Sequence, residues 1–473
     1  MPLILGTNSI KDTGYDVANS LRFDDGSSDS LQRTPGSSGN RRTWTFSTWF
    51  KRGNIGSSQW ILDAYGGSGD EFHIYISSGN AIGIYTIGGG FGSNLSISTN
   101  NLVRDVSAWY NLVVRCDTTQ STASDRLRIY LNGVEASYGT YNNFTLNGEG
   151  QVNEASTVHY LGRRNAGDSF DGYFAETVLV DGLSLDPTSF GEFDSDSPTI
   201  WKPIDVSGLT FGTNGFYLDF ENASSLGADV SGNSNNFTVN NLTSVDQSSD
   251  SCTNNFATLN PLDAYYEAST FSEGNLKIVT ESSGYSYNTS TIGLTTGKWY
   301  CEVYIEATPH SGTKDSMIGV AGRMSEADLG YLGLYSDTYG IYGGNGNIYN
   351  GGSGSSYGVS HTTGDIIGIY LDLDNNKLYF AKNGTLMNSG TGKDITAVSN
   401  TTAGAYFMVA ADFYNGSSGT YRVNFGNPIY SLSSANADAN GFGSFEYDPS
   451  SGTFDGSSKD FLAINTKNLA EFG

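Results

Sequence analysis

Residues 364–386, GDIIGIYLDLDNNKLYFAKNGTL, decide the fold class, because they predict three strands joined by two tight turns. Between positions 366 and 373 apolar side chains occupy alternate positions, which is the period-2 pattern of a half-buried strand. Asp374-Asn375-Asn376 predicts the first turn and Asn383-Gly384 the second, since Asn and Gly adopt the left-handed backbone that hairpins need. The segment is therefore expected to fold as a β-meander.

The first half of the chain repeats this arrangement. WYNLVVR at 109–115 leads through a polar loop into DRLRIYLNGVEA at 125–136, where Asn132-Gly133 supplies the turn. Two copies of strand, loop, strand, Asn-Gly and strand indicate two sandwich domains built on one plan.

Length and composition agree with an all-β chain of more than one domain. A chain of 473 residues is too long for a single core. With 61 Gly, only nine Pro and 13% aromatic residues, the composition favours many short strands joined by turns. The predicted fold class is all-β, with two antiparallel β-sandwiches in tandem.

The charge of the chain restricts its partners. Asp and Glu number 49 against 24 Lys and Arg, a net charge of −25 at pH 7, so nucleic acid and anionic membranes are not expected to bind. No apolar run approaches membrane-spanning length, and positions 1–20 lack the pattern of a secretory signal, so we expect a soluble cytosolic product. Cys116, Cys252 and Cys301 are expected to be free, buried thiols.

Changes in composition suggest five segments. We expect the N-terminal segment to attach the protein to a partner, because it is polar and aperiodic. The C-terminal segment keeps apolar residues and is expected to pack on something. The segments are an N-terminal arm at 1–20, a first sandwich at 21–200, a connection at 201–264, a second sandwich at 265–430 and a tail at 431–473.

Two stretches resemble known families. The first half, with SLRFDDGSSDSLQRTPGSSGNRRTWTFSTWFKRG at 20–53 and GYFAETVLVDG at 172–182, resembles the laminin-G-like, concanavalin-A-type sandwiches found in virion proteins of tailed bacteriophages. The second half, with GKWY at 297–300, NKLYF at 376–380 and VNFG at 423–426, resembles a SPRY domain. Both resemblances imply jelly-roll sandwiches.

The resemblance extends to the phrases that join and close these domains, DVSGNSNNF at 229–237 and FLAINTKNL at 461–469. It implies a non-enzymatic structural protein of the phage virion, assembled in the host cytoplasm as a homo-oligomer. The implied role is that of a tail fibre or appendage subunit that contacts other virion proteins and a host surface glycan. Two alternatives remain, because fold alone does not fix function: a capsid decoration or head-fibre protein, and a polysaccharide depolymerase.

No catalytic residue, cofactor or metal site is predicted. Glu302 and Glu306 share a strand face, as the paired carboxylates of a glycanase would, but we interpret them as part of a solvated face. Asp372-x-Asp374-x-Asn376 lacks the Gly and Glu of a calcium loop and already forms the predicted turn. The four histidines, His73, His159, His310 and His361, have no clustered partners in the sequence and are interpreted as ordinary surface or strand residues.

A Gly-rich run in the second half contains several tyrosines, and aromatic rings on exposed loops can stack on the apolar faces of sugars. The predicted glycan-binding residues are Tyr339, Tyr342, Tyr349 and Tyr357.

Overall fold

The computed structural model describes residues 13–91, 94–165, 167–263, 269–282, 284–324, 330–412, 417–454 and 456–473. The chain divides into two compact units between Thr253 and Asn254. In the described ranges the only α-helix is α1 (Thr466–Phe472), and none is long and apolar enough to cross a membrane. The predicted all-β class and antiparallel sandwiches are confirmed.

In the part of the chain that the structure describes, the first unit consists of two antiparallel sheets and two short ribbons. Its strands are β1 (Ser20–Phe23), β2 (Ser30–Arg33), β3 (Thr43–Arg52), β4 (Gln59–Gly67), β5 (Asp70–Ile76), β6 (Ala81–Ile87), β7 (Ser96–Leu102), β8 (Trp109–Asp117), β9 (Leu127–Leu131), β10 (Val134–Glu135), β11 (Tyr138–Tyr141), β12 (Val158–Leu161), β13 (Arg163–Arg164), β14 (Gly167–Ser169), β15 (Gly172–Asp181), β16 (Gly191–Phe193), β17 (Trp201–Pro203), β18 (Phe216–Leu218), β19 (Thr238–Asn240) and β20 (Gln247–Ser248). Short 3-10 turns lie at Ala123–Asp125, Pro187–Ser189 and Ser244–Asp246.

The strand order explains where the core of the first unit lies. One sheet runs β10-β9-β8-β3-β15-β1-β20, with β18 paired to β15, and the other runs β11-β7-β6-β5-β4-β12-β2-β19. Alternate residues of each strand enter the space between them, such as Phe46 and Phe174 from one sheet and Phe72 and Ile84 from the other. The opposite face of each sheet is left for other contacts.

The Asn-Gly turn of this unit lies at a sheet edge, between β9 and β10, as the sequence predicts. Asn132 and Gly133 have φ angles of 47° and 75°, the left-handed region that the turn requires. A Cβ at Gly133 would also lie 2.3 Å from the ring of Trp201, so only glycine fits.

Within its described residues the second unit has two main sheets, antiparallel apart from one short parallel pair, and one ribbon. Its strands are β21 (Thr270–Ser272), β22 (Lys277–Val279), β23 (Ser286–Thr289), β24 (Lys298–Ala307), β25 (Ser316–Ala321), β26 (Thr338–Tyr342), β27 (Ile348–Asn350), β28 (Ser353–Ser355), β29 (Ile366–Asp372), β30 (Lys377–Lys382), β31 (Thr385–Leu386), β32 (Lys393–Asp394), β33 (Phe407–Asp412), β34 (Thr420–Asn424), β35 (Thr453–Phe454), β36 (Ser457–Ser458) and β37 (Leu462–Ala463). Short 3-10 turns lie at Met387–Gly390 and Val398–Asn400.

The predicted meander forms one end of the larger sheet, which runs β21-β22-β34-β24-β29-β30-β31, with β32 on β30 and β37 on β24. The smaller sheet runs β23-β33-β25-β26-β27-β28. Ile369 of β29 points between the sheets, as its alternating pattern predicts. Tyr370 on the other face is also buried, because Phe454 and Phe461 of the C-terminal segment pack on it. That segment adds a third layer.

The ends of the predicted segments can also be located. Residues 201–253 contribute β17 to β20 to the first unit, and residues 431–473 contribute β35 to β37 and α1 to the second. Of the predicted arm, positions 1–12 lie outside the described residues. Val17 is buried, and its backbone amide donates to Thr253 Oγ1 at 3.0 Å.

Candidate functional site

The outward face of the second sheet of the first unit carries half-buried aromatic side chains. Because Ile74 of β5 enters the core, its neighbour Tyr75 points to the opposite face, and the same alternation holds on the adjacent strands. We call this set the aromatic row, and it consists of Trp60 on β4, Tyr75 on β5, Tyr85 on β6 and Tyr160 on β12.

Two rings of the aromatic row are stacked on each other. Trp60 and Tyr75 are opposite each other in the β4–β5 ladder, and their ring centroids are 5.2 Å apart with planes 20° from parallel. The Tyr75 ring leans over Gly83 of β6, where a Cβ would lie 2.5 Å from it. A glycine at that position therefore makes room for the stack.

Beside the aromatic row lies a buried polar cluster made of Asp63, Glu71 and His73, here named the carboxylate–histidine cluster. Asp63 and His73 are opposite each other in the β4–β5 ladder, and Glu71 is two residues before His73 on the same face. His73 Nδ1 lies 2.9 Å from Asp63 Oδ1, and its Nε2 lies 3.0 Å from Glu71 Oε2. One ligand atom from each side chain lies within 4.8 Å of the others, so these residues could hold a metal ion.

The β13–β14 hairpin supplies the next layer of contacts around this cluster. Arg164 Nη2 donates to Glu71 Oε2 at 3.2 Å, and the Arg164 guanidinium lies 5.6 Å from the Trp60 ring centroid. The backbone amide of Asn165 donates to Asp63 Oδ2 at 2.8 Å. The hairpin thus links the carboxylate–histidine cluster to the aromatic row.

The interpretation of the histidines as ordinary surface or strand residues without clustered partners was wrong for His73, which lies between two carboxylates. His159 and His361 are buried as well, and burial lowers the pKa of each to about 4. His310 remains half-buried, with its Nδ1 2.9 Å from Asp315 Oδ2.

Two of the four predicted glycan-binding tyrosines lie in the interior of the second unit. Tyr339 is 3% exposed and its hydroxyl donates to the Ser336 carbonyl at 2.9 Å. Tyr357 is 7% exposed and packs against Phe380 with ring centroids 6.0 Å apart. The prediction needs correction for both, because neither ring has a free face for a sugar.

Tyr342 and Tyr349 stay half-buried on the outward face of the smaller sheet, with Tyr331 beside them. Their ring centroids lie 5.9 Å apart with planes 77° from parallel, and the Tyr342 hydroxyl donates to Asp315 Oδ1 at 2.7 Å. Burial and this carboxylate raise the pKa of Tyr342. The structure therefore leaves this pair as the accessible part of the predicted set.

Glu302 does not lie on a solvated face, which corrects the interpretation of the Glu302 and Glu306 pair. Its side chain is fully buried, and its carboxylate accepts hydrogen bonds from Tyr300, Asn424 and the backbone amides of Glu446 and Tyr447. Burial raises the pKa of Glu302 to about 7, against the lowering effect of these donors.

Glu306 is only partly buried and behaves differently from Glu302. It forms ion pairs with Arg422 at 2.6 Å and Lys277 at 3.1 Å, and its hydrogen bond to Arg422 is the main reason that its pKa is lowered. Both carboxylates are thus engaged in holding the second unit together.

Sequence reasoning missed the aromatic row because its members come from four strands. The individual strands are predictable, since QWILDAY and DEFHIYI both alternate. Their pairing is not local, and the ladder is irregular between Trp60 and Leu62, which places Asp63 on the same outward face as Trp60.

The two halves of the chain match two different protein families. The family described as the concanavalin A-like lectin/glucanases superfamily matches residues 25–184, and the SPRY domain family matches residues 298–453. Ran-binding protein 10 from Danio rerio is 30% identical over 122 residues, which cover 24% of this chain and 20% of that relative. The chain therefore spans about a fifth of the length of that relative.

Two solved structures are similar to parts of this chain at low sequence identity. The SPRY domain of human HERC1 is 21% identical, with a TM-score of 0.29, and the match covers 35% of this chain and 96% of that one. A candidate carbohydrate-binding protein from Bacteroides ovatus is 13% identical, with a TM-score of 0.35, and the match covers 48% of this chain and 60% of that one. This chain carries a concanavalin A-like domain of the laminin-G type followed by a SPRY domain.

Proposed function

We propose that this protein is a non-enzymatic, glycan-binding subunit of a tailed-phage virion, located in a tail fibre or appendage. The observation that carries the binding part is the aromatic row, which places half-buried indole and phenol rings on an outward sheet face. Aromatic rings bind the apolar faces and edges of sugars, and burial of part of each ring fixes its position.

Polar groups beside the aromatic row can provide the hydrogen bonds that a sugar needs. The Tyr85 hydroxyl lies 3.4 Å from Asn94 Oδ1, and the Tyr160 hydroxyl lies 3.1 Å from Asn165 Oδ1. Carbohydrate binding is also in keeping with the match of residues 25–184 to a superfamily named for lectins and glucanases.

The engagement of the acidic side chains supports binding without cleavage. A glycosidase needs two carboxylates that reach the scissile bond and a water molecule. Asp63 and Glu71 are buried beside His73, and Glu302 accepts four hydrogen bonds from protein donors. We therefore propose that these acids serve structure rather than hydrolysis.

The virion assignment rests on the resemblance of residues 20–53, 229–237 and 461–469 to phage structural proteins. Many copies on one particle would turn weak single contacts into useful avidity. Micrographs of virions labelled with antibody to this protein test this part. Labelling of the tail supports it, and labelling of the capsid would favour the decoration or head-fibre alternative.

Glycan arrays probed with the full chain test the binding part. We expect Trp60→Ala and Tyr75→Ala to reduce binding at least about tenfold, the loss expected for about 1.4 kcal/mol of contact energy. The double variant Tyr342→Ala, Tyr349→Ala is the matched change on the second unit. If only this variant lost glycan binding, the binding site would lie on the second unit instead. Release of oligosaccharides from host envelope polysaccharide would instead support the depolymerase alternative.

A further inference from the structure

We propose that Asp63, Glu71 and His73 bind one divalent transition-metal ion, with the carboxylate–histidine cluster as its protein ligands. The three side chains offer two carboxylate oxygens and one imidazole nitrogen within 4.8 Å of one another. This inference is independent of glycan binding.

The burial of the carboxylate–histidine cluster is the first argument. The side chains of Asp63, His73 and Glu71 are 0%, 2% and 10% exposed. Burial removes the hydration of the two carboxylates, which costs free energy. Buried carboxylates are tolerated when a cation or hydrogen-bond donors replace the lost water. Arg164 offsets one of the two negative charges, and the second is left for a bound cation or a proton.

Unsatisfied hydrogen-bonding atoms are the second and independent argument. His73 Nδ1, His73 Nε2 and Asp63 Oδ1 are buried, yet none of these atoms has a partner in hydrogen-bonding geometry. The carboxylate oxygens lie close to the ring nitrogens, but outside the direction in which a ring N–H would donate. A neutral imidazole has only one N–H, so it could not satisfy both carboxylates in any tautomer. One cation can bind a single nitrogen of the ring, so together with Asp63 Oδ1 it would satisfy two of these three atoms.

The neighbours of the cluster already hold its ligands in place. The Asn165 amide occupies Asp63 Oδ2 and leaves Oδ1 for an ion, while Arg164 binds Glu71 Oε2 and leaves Oε1. Such outer contacts orient ligands and are typical of metal sites. The β4–β5 ladder places Asp63 directly opposite His73.

The chemical types of the three ligands restrict which metal ion can bind. One imidazole with two carboxylates suits Zn²⁺ and neighbouring first-row ions, whereas Ca²⁺ and Mg²⁺ prefer oxygen ligands alone. Three protein ligands leave a position for water or another ligand on a four-coordinate zinc ion. We therefore expect Zn²⁺ to bind and Ca²⁺ not to bind at this cluster.

Isothermal titration of the chelator-treated full chain with ZnCl2 tests the proposal. We expect one equivalent to bind, together with a rise in the thermal midpoint, because a ligand that binds only the folded state stabilises it. Glu71→Gln and Asp63→Asn keep the shape of each side chain and remove its charge. Each should weaken zinc binding at least about tenfold, the lower end of what even outer-contact changes cause.

His310→Ala is the matched control, since His310 also contacts a carboxylate, Asp315, but is half-buried in the second unit. It should leave the zinc stoichiometry and affinity unchanged. Circular dichroism of each variant establishes that it folds. Absence of zinc binding by the wild type, binding that survives both isosteric changes, or equal binding of Ca²⁺ would each overturn the assignment.

Discussion

The carboxylate of Glu302 accepts a 2.8 Å hydrogen bond from the backbone amide of Tyr447, so β24 holds a segment 145 residues further along the chain. The amide of Glu446 donates to the same side chain at 3.0 Å. One buried acid thus satisfies two consecutive backbone donors and anchors the third layer of the second unit at residues 446 and 447.

We expect Glu302→Gln to destabilise the second unit by about 2–3 kcal/mol, because an amide Nε2–H2 would face groups that donate to the carboxylate. Chemical denaturation measures the loss, and limited proteolysis should show earlier cleavage within residues 431–473. Glu306→Gln, which removes the partly exposed ion pairs with Arg422 and Lys277, should cost about 1 kcal/mol or less. Equal effects of the two changes would contradict the role assigned to Glu302.

Glu176 should make the first unit less stable as the pH rises. Burial raises its pKa to about 7 from an ordinary 4.5, and the hydroxyls of Tyr217 and Tyr15 lie 2.8 and 3.3 Å from it. The folded state therefore holds this proton more tightly than the unfolded state. The stabilising contribution is complete below about pH 4.5 and is lost by about pH 7. Glu176→Gln should abolish the fall in the unfolding midpoint between about pH 4.5 and pH 7 that Glu176 causes. The same pH dependence in the variant and the wild type would contradict this prediction.

Lys51 and Asp250 form a buried ion pair of 2.8 Å, with side chains 1% and 0% exposed, and Trp109 Nε1 donates to the same carboxylate at 3.0 Å. Lys51→Met should cost about 3–5 kcal/mol, because it leaves Asp250 as a buried charge without its cation. Adding Asp250→Asn should recover part of that loss. In urea denaturation, Lys277→Met is the control, since its pair with Glu306 is partly exposed and should contribute less than about 1 kcal/mol.

Gly83→Ala should displace the Tyr75 ring, since its Cβ would lie 2.5 Å from that ring. We expect a loss of about 1–3 kcal/mol in stability from overpacking and a loss of any glycan binding that depends on Trp60 and Tyr75. Gly79→Ala is the control, because its Cβ would meet Ser77 Oγ at an ordinary 3.7 Å. Thermal unfolding of both variants tests this prediction, and equal midpoints for the two would contradict it.

Local sequence patterns were sufficient for the elements that pair with their immediate neighbours. The meander from β29 to β31 and both Asn-Gly turns were predicted because alternation and turn residues are encoded within a few positions. The position of the third layer was not predicted. The alternating pattern places Tyr370 on the outward face of its strand, and nothing local indicates that Phe454 and Phe461 cover it.

The candidate site was largely unpredictable for the same reason. Asp63 and His73 meet only because β4 pairs with β5 in one register, and the irregularity after Trp60 changes which residues of β4 face outward. Tyr339 and Tyr357 lie in a Gly-rich run whose composition is typical of a loop, yet most of that run forms β26 to β28, and both rings enter the core.

The pairing of β1 with β20 has a mechanical consequence. Ser20 lies opposite Ser248, and Val17 bonds to Thr253, so the chain enters and leaves the first unit at the same end of one antiparallel pair. A pulling force applied to these two ends would load the interstrand hydrogen bonds one after another, as in a zipper, rather than together in shear. The first unit should therefore yield from this pair inward at low force, while β3, β8 and β15 hold the core.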